Sequence, residues 1–374
     1  MSSFKTHALH ALRASRAQAS SRRALLGFDG FVDTIVRPVA TRTGQGDAFT
    51  PITTIPEFAL RVGGAAGKSA NLELFPVMEK PGGNGPLMAA ALLAGGTRVT
   101  YVGALGRPAL HSVFQDFAAK AELFSLCAPA STTALEFTDG KLMLGQLSSL
   151  DSITLPLIED VVGATRFRAE LAAADLVALV NWTMIPNMSG IFRDLLTRIL
   201  PELPPRPEGD PRVFFFDLAD PEKRTRYDLR DALGLISRFS RFGEVILGLN
   251  LKEAQQVADV LGLAPPGADE ASLRATCAAL REALSLGVVV IHPRESAACA
   301  TAAGTAWVPG PYCANPVITT GAGDHFNGGF CRGRLLGLDA ESSLTLGVCT
   351  SGHYVRSALS PSLDDLERFL DRWA

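Results

Sequence analysis

The stretch VITTGAGDHFNGGFCRGRLLG, residues 317–337, gathers the residue types that phosphate chemistry needs. Gly321, Ala322 and Gly323 make a turn of small residues that leads into Asp324 and then a helical pattern containing Phe326, Gly328 and Gly329. Such a turn leaves backbone N–H groups pointing outward at the positive end of a helix dipole, which is a ready anion site. Glycine lets a phosphate approach closely. A carboxylate beside that site repels a resting phosphate, yet it is well placed to take the proton from a hydroxyl attacking phosphorus. Asp324 as a simple helix cap is the alternative. The combination favours phosphoryl transfer, with Asp324 as general base and Gly321, Ala322 and Gly323 as anion hole.

Other carboxylates stand where a sheet edge would collect them. LLGFDGFVD sets Asp29 and Asp33 at the end of an apolar run, and ligands gather at strand ends in open α/β sheets. LNLKEAQQV places Asn250 and Glu253 three apart as a strand passes into a helix, which brings both to one face of the first turn. That pair reads either as a capping box or as a carboxylate holding hydrated magnesium, an ion that keeps several waters. Beside the Asp324 turn the metal reading, with Glu253 acting through water, is preferred. FFFDLADPEKR carries Asp217 and Asp220 to the same edge, but a turn before Pro221 explains Asp220, and neither is given a catalytic role.

TTGAGDHFNGGF resembles the C-terminal signature of the ribokinase-like, or PfkB, carbohydrate kinase family. GGNGPLMAAALLAGGTRVTYVGALG, with Gly82, Gly83, Gly85, Ala89, Gly96 and Gly106, is similar to that family's first signature, and Asn250 with Glu253 resembles its N-x-x-E element. With ALSPSLDDLERFL near the end, the likeness runs from about Leu25 to the C-terminus. The resemblance implies ATP as phosphoryl donor with Mg2+, and a sugar or sugar-like acceptor phosphorylated on a primary hydroxyl. It implies that Asp33, with Asp29 in reserve, holds sugar hydroxyls together with Gly83 and Asn84. It places Asn250, His292, Thr320, Gly321 and Gly323 at the nucleotide, and a lid sheet that doubles as a homodimer interface.

This chain departs from the family pattern in several places. Leu87 stands where the first signature has Asn, and Cys331 closes the second. Ile318 replaces the Asp or Asn that contributes to a monovalent cation site, so the resemblance carries no expectation of potassium dependence. His292-Pro293 replaces Thr-x-Gly, leaving His292 as a nucleotide contact or a strand-end histidine bonded to backbone. Rival readings are an ADP-dependent sugar kinase, hinted at by His292 and Glu295, a nucleoside kinase, and a sugar-binding regulator without turnover. A dinucleotide-dependent oxidoreductase lacks its G-x-G-x-x-G after the first strand. No unambiguous Arg/Lys pair stands ready for a second phosphate on the acceptor, although Arg61, Lys68 and Arg107 could supply one.

Positioning these groups requires a sheet. ALLGFDGFV, TRVTYVGAL, ADLVALVNW, RVFFFDLAD, EVILGLN and GVVVIHP read as six buried strands alternating with helical segments. Residues 34–80 and 131–148 break the rhythm, the second with a hairpin signal at Asp139-Gly140. The predicted architecture is one α/β domain over residues 1–374, a ribokinase-like doubly wound, mostly parallel sheet flanked by helices, with those two segments as a small β-sheet lid. The Pro-rich stretches 201–211 and 263–272 read as connections within it.

RVGGAAGKSANLE is no P-loop, because Gly63 and Gly67 enclose three residues where four are needed and helix and strand flank it in the wrong order. Gly67 is expected to end a helix, with Lys68 near its negative pole. The first residues suggest an amphipathic helix burying Ala8, Leu9 and Leu12 rather than a transit peptide. A 47% hydrophobic composition with 20% charge suits an extensive core. Net charge of -3 without a basic run gives no footprint for nucleic acid or anionic membrane. Six cysteines without a C-x-x-C pair read as reduced thiols of a cytoplasmic protein.

Overall fold

The computed structural model describes residues 3–207 and 209–373. Along the chain lie β1 (Arg23–Phe28), β2 (Phe31–Arg42), β3 (Phe49–Pro51), β4 (Leu74–Gly82), β5 (Arg98–Gly103), β6 (Glu122–Ser125) and β7 (Ala130–Phe137). They are followed by β8 (Gly140–Gln146), β9 (Leu176–Leu179), β10 (Val213–Asp217), β11 (Glu244–Leu249), β12 (Val288–Ile291), β13 (Ser296–Thr301) and β14 (Gly304–Pro309). One sheet of nine strands has the order β14-β13-β12-β11-β10-β9-β1-β5-β6. It is parallel from β12 to β6, with β13 and β14 added antiparallel.

Uninterrupted apolar runs suit strands covered on both faces, as parallel sheets are. In β10, Phe214 and Phe216 enter one core, where both rings meet Phe239, while Phe215 enters the core on the opposite face. Period-two alternation thus fills both layers with one residue type. The helices spanning 84–94, 322–335 and 340–357 cover the second face, with Met88, Phe326, Phe330 and Leu344 buried there. The first helix, Ser3–Ser15, buries Ala8, Leu9 and Leu12 as predicted. Leu9 and Leu12 pack with Leu346, Leu366 and Leu370 of the C-terminal helices. A fully buried leucine contributes about 1.5–3 kcal/mol, enough to dock this helix on the body.

A second, five-stranded sheet forms the lid. β2 pairs with β4 and β3 antiparallel and with β7 parallel, and β8 closes the hairpin begun by β7. The hairpin turn is Thr138-Asp139, one residue before the predicted pair, and Asp139 accepts the Ile55 N–H at 3.0 Å to hold the start of the 55–63 helix. Two expectations need correction. ALLGFDGFV is not one strand: the chain breaks at Asp29-Gly30, so Asp29 follows the last residue of the main-sheet strand β1 while Asp33 belongs to β2 of the lid. The helix before Gly67 ends at Gly63 with Gly64 as its cap, and Gly67 supplies a positive φ of 72° to the following turn. Lys68 therefore lies beyond the dipole's reach. All six cysteines are free, and no helix among the described residues is long and apolar enough to cross a membrane.

Candidate active site

Asp29, Asn181, Asp217, Asn250 and His292 all stand at or just past the carboxyl ends of parallel strands. Asp29 is fully buried and saturated with donors. The N–H groups of Asn84 and Gly85 reach it at 2.8 and 2.9 Å, the Asn181 amide at 2.6 Å and the Tyr101 hydroxyl at 3.2 Å. Burial raises this carboxyl, and these donors oppose the rise. The carboxylate therefore fixes the start of the 84–94 helix, whose cap, Gly83, needs a positive φ of 96°. That helix presents the Asn84 amide, which donates to Asp324 at 2.9 Å. The two signature motifs, 240 residues apart in sequence, meet in this one bond.

Asp324 sits in the first turn of the 322–335 helix, capped by Gly321 with φ 92°. Only 9% of its surface is exposed. Burial, and then the charge of Asp29, push its carboxyl well above the ordinary range. The anion turn is less open than the sequence implies, because the Ala322 N–H donates to the Thr319 carbonyl at 3.2 Å. The N–H groups of Gly321 and Gly323 make no hydrogen bond among the described residues.

The lid contributes the opposite wall. Asp33 is 4% exposed and forms an ion pair with Lys80, its cross-strand partner on β4, at 3.6 Å. Burial raises the Asp33 carboxyl and the Lys80 charge pulls it partly back. The Lys80 ammonium has no hydrogen-bond partner among the described residues. From β8, Lys141 donates to the Thr320 hydroxyl at 2.9 Å and pairs with Glu136 at 3.1 Å. Lys141 thus ties the lid hairpin to the anion turn.

On the far side of that turn lies a cavity of about 380 Å³ lined by Asn250, His292, Tyr312, Gly323 and Phe326 among others. His292 lies over Phe326 at 4.5 Å, and burial lowers its imidazole to about 4, so it is neutral. Thr320 stays outside this cavity, directed toward Lys141 instead. Asn250 and Glu253 form a complete capping box: Glu253 accepts the Asn250 N–H at 2.8 Å and Asn250 accepts the Glu253 N–H at 2.9 Å. The other Glu253 oxygen accepts the Asp220 N–H at 3.0 Å. Asp217 gives one oxygen to Asn327 at 3.0 Å, while its second oxygen is buried without a partner. Burial and the neighbouring charges of Glu253 and Asp324 raise Asp217 well above the usual carboxylate range. Among the described residues no group of three or more His, Cys, Asp or Glu side chains is arranged to hold a metal by itself.

Sequence reasoning missed Asn181, Tyr101, Lys80, Lys141 and His325. Asn181 carried a faint signal, an amide closing an apolar strand, and it takes φ 59°, a conformation asparagine tolerates. Tyr101 and His325 lie inside the two signatures and Lys80 just before the first, but their types alone give no role; Lys141 lies 179 residues from the Thr320 it reaches. Leu87, the departure in the first signature, packs against the Gly321 α-carbon, where an added Cβ would come within 2.7 Å of it.

The sequence profile of the Khk family, prokaryotic ketohexokinase, matches residues 3–373. The chain belongs to the prokaryotic ketohexokinase family. A ketohexokinase of Haloferax volcanii is 29% identical to this family member over 349 residues, covering 93% of this chain and 90% of that one. Among solved structures, a Cryptococcus neoformans ribokinase in complex with ADP superposes with a TM-score of 0.62 at 18% identity, over 93% of this chain and 99% of its own. An Escherichia coli chain bearing the name ribokinase II, in complex with ATP and Mg2+, gives 0.63 at 14% identity over 94% and 99%. This ketohexokinase-family member is a carbohydrate kinase with the ribokinase-like fold, as its two signatures imply.

Proposed function

We propose that this carbohydrate kinase transfers the terminal phosphoryl group of ATP to a primary hydroxyl of a ketohexose. The observation that carries the mechanism is the buried Asp324 carboxylate, aligned by Asn84 beside the unpaired Gly321 and Gly323 N–H groups. Ketohexose as acceptor is supported by family membership and by the Haloferax volcanii relative.

The acceptor lies between the lid and the carboxyl edge of β1, with Asp33 accepting from its hydroxyls and the Gly83–Asn84 turn at its rim. Asp324 removes the proton of the attacking hydroxyl as the new O–P bond forms and the bond to the leaving ADP oxygen breaks. The free N–H groups at residues 321 and 323 stabilise charge on the migrating group without reorganising. Lys141 brings a positive charge to the same turn when the lid is closed. Water competes with the sugar as nucleophile, and lid closure excludes it.

The nucleotide occupies the cavity beside His292, with Asn250 at its edge. The unpartnered Asp217 oxygen and Glu253 fit a hydrated Mg2+, which takes few protein carboxylates and completes its shell with water and phosphate. Bound there, the ion neutralises phosphate charge; Glu253, whose oxygens both hold backbone N–H groups, acts through water.

The test is a panel of ketohexoses, aldoses, sugar phosphates and nucleosides assayed with Mg2+ and either ATP or ADP. Turnover of ketohexoses with ATP is expected. Asp324→Asn is expected to lower turnover by about two to four orders of magnitude, the usual worth of a general base. Near-normal turnover in that variant, with the fold intact, overturns the mechanism; turnover only with ADP or only of nucleosides overturns the substrate reading.

A further inference from the structure

We infer that His325, the residue after the base, is a positioning residue that locks the 321–322 peptide and so keeps its carbonyl turned away from the transferred phosphoryl group, leaving that side of the turn to the free Gly321 and Gly323 N–H groups. The inference rests on the reading of the 321–323 turn given above and extends it to a side chain that touches neither substrate.

Gly321 must be glycine. Its φ is 92°, and an added Cβ would lie 2.7 Å from Leu87 and 3.2 Å from the Tyr354 hydroxyl oxygen. The same absence of a side chain leaves this peptide the freest in the turn. Rotation of the 321–322 peptide would swing a carbonyl, with its negative end, toward the phosphate. The carbonyl is held instead by two donors from one residue, the His325 backbone N–H at 3.0 Å and the His325 ring nitrogen Nδ1 at 2.7 Å. A carbonyl oxygen only accepts, so Nδ1 carries the proton. Nε2 then accepts from the Ser360 hydroxyl at 2.8 Å. Burial lowers the imidazole to about 4, consistent with a neutral ring.

The ring itself cannot tilt. It stacks on Tyr354 with centroids 3.6 Å apart and planes within 13°, and the Tyr354 hydroxyl donates to the Thr320 carbonyl at 3.0 Å. Two successive carbonyls of the anion turn are thus each held by one member of a stacked pair. A histidine that merely filled volume would need neither bond.

The test compares His325→Asn, His325→Gln and His325→Leu. Asparagine keeps an amide N–H where Nδ1 stood; glutamine carries its polar group out to the Nε2 position and abandons Gly321; leucine keeps only bulk. Expected losses in kcat are under about fivefold for Asn and on the order of a hundredfold for Gln and Leu, with the sugar KM changed by less than about threefold. Equal losses for Asn and Gln, or losses that follow the melting temperatures, overturn the lock. Asp324→Asn in the same assay separates the two claims: its retained turnover removes the underlying reading, whereas its inactivity beside equal Asn and Gln variants removes only the lock. Should a variant fail to fold, 15N spectra of histidine-labelled wild-type protein decide, since the lock requires the Nδ1-protonated neutral tautomer of His325 and a resonance from the Nε2-protonated form overturns it.

Discussion

Burial and the nearby charges of Asp29 and Glu253 lift the Asp324 carboxyl well above its ordinary value. A base must be ionised to accept a proton, so kcat/KM is expected to climb with pH along a limb displaced upward from the usual carboxylate range. A pH–rate profile checks this, and a limb at the ordinary carboxylate value contradicts it. Stability runs the other way. A raised carboxyl pKa gives stability that is complete below the unfolded value and is lost as pH rises through the folded one. Asp324→Asn removes that loss. The variant should therefore melt higher than wild type, with a gain larger at about pH 8 than at about pH 4 by differential scanning calorimetry. The group proposed as the base would thus weaken the fold that holds it, as buried functional charges do.

The helix at 84–94 positions Asn84 only because nothing larger than glycine follows it. A Cβ on Gly85 would fall 2.2 Å from the Tyr101 hydroxyl oxygen and 2.6 Å from Asp29. Gly85→Ala is expected to destabilise the protein by about 1–3 kcal/mol, the usual range for overpacking, and to lower kcat by displacing the Asn84 amide from Asp324. Denaturant melts and steady-state kinetics measure both. At this scale the sequence was readable where a motif is local: the Gly321 turn and the capped 251–261 helix are where spacing puts them, and the lid hairpin turns one residue earlier than its Asp-Gly signal. Asp29 shows what spacing leaves open. It reads as a sugar ligand in reserve, but its oxygens are taken by donors from β1's neighbours and from the helix start, partners 55 to 152 residues away.

At the scale of the whole molecule, the lid leaves apolar side chains uncovered at its edges. Val77 and Met78 on β4 and Met143 and Leu144 on β8, the strands at its two sides, are all 45–52% exposed. Exposed apolar side chains on both edge strands suit an interaction surface, and we expect a homodimer through the lid. Sedimentation equilibrium is expected to give twice the chain mass, and Met143→Glu combined with Leu144→Glu is expected to give monomers; a monomeric wild type ends the idea. Such pairing would also steady the lid that carries Asp33, Lys80 and Lys141.

Composition and period alone determined an α/β chain with six inner strands, a small sheet inserted in two pieces and a glycine turn opening a helix near the C-terminus. Each follows from residues close in sequence, whose apolar alternation, glycine spacing and helix starts act locally. The identities of the partners were decided only by the fold. Asp29 as a structural anchor, Lys141 reaching Thr320 and Tyr354 holding the Thr320 carbonyl all depend on which distant groups meet in the folded, low-dielectric interior. There a carboxylate, ammonium or carbonyl is worth what its neighbours make it, and no spacing along the chain records those neighbours.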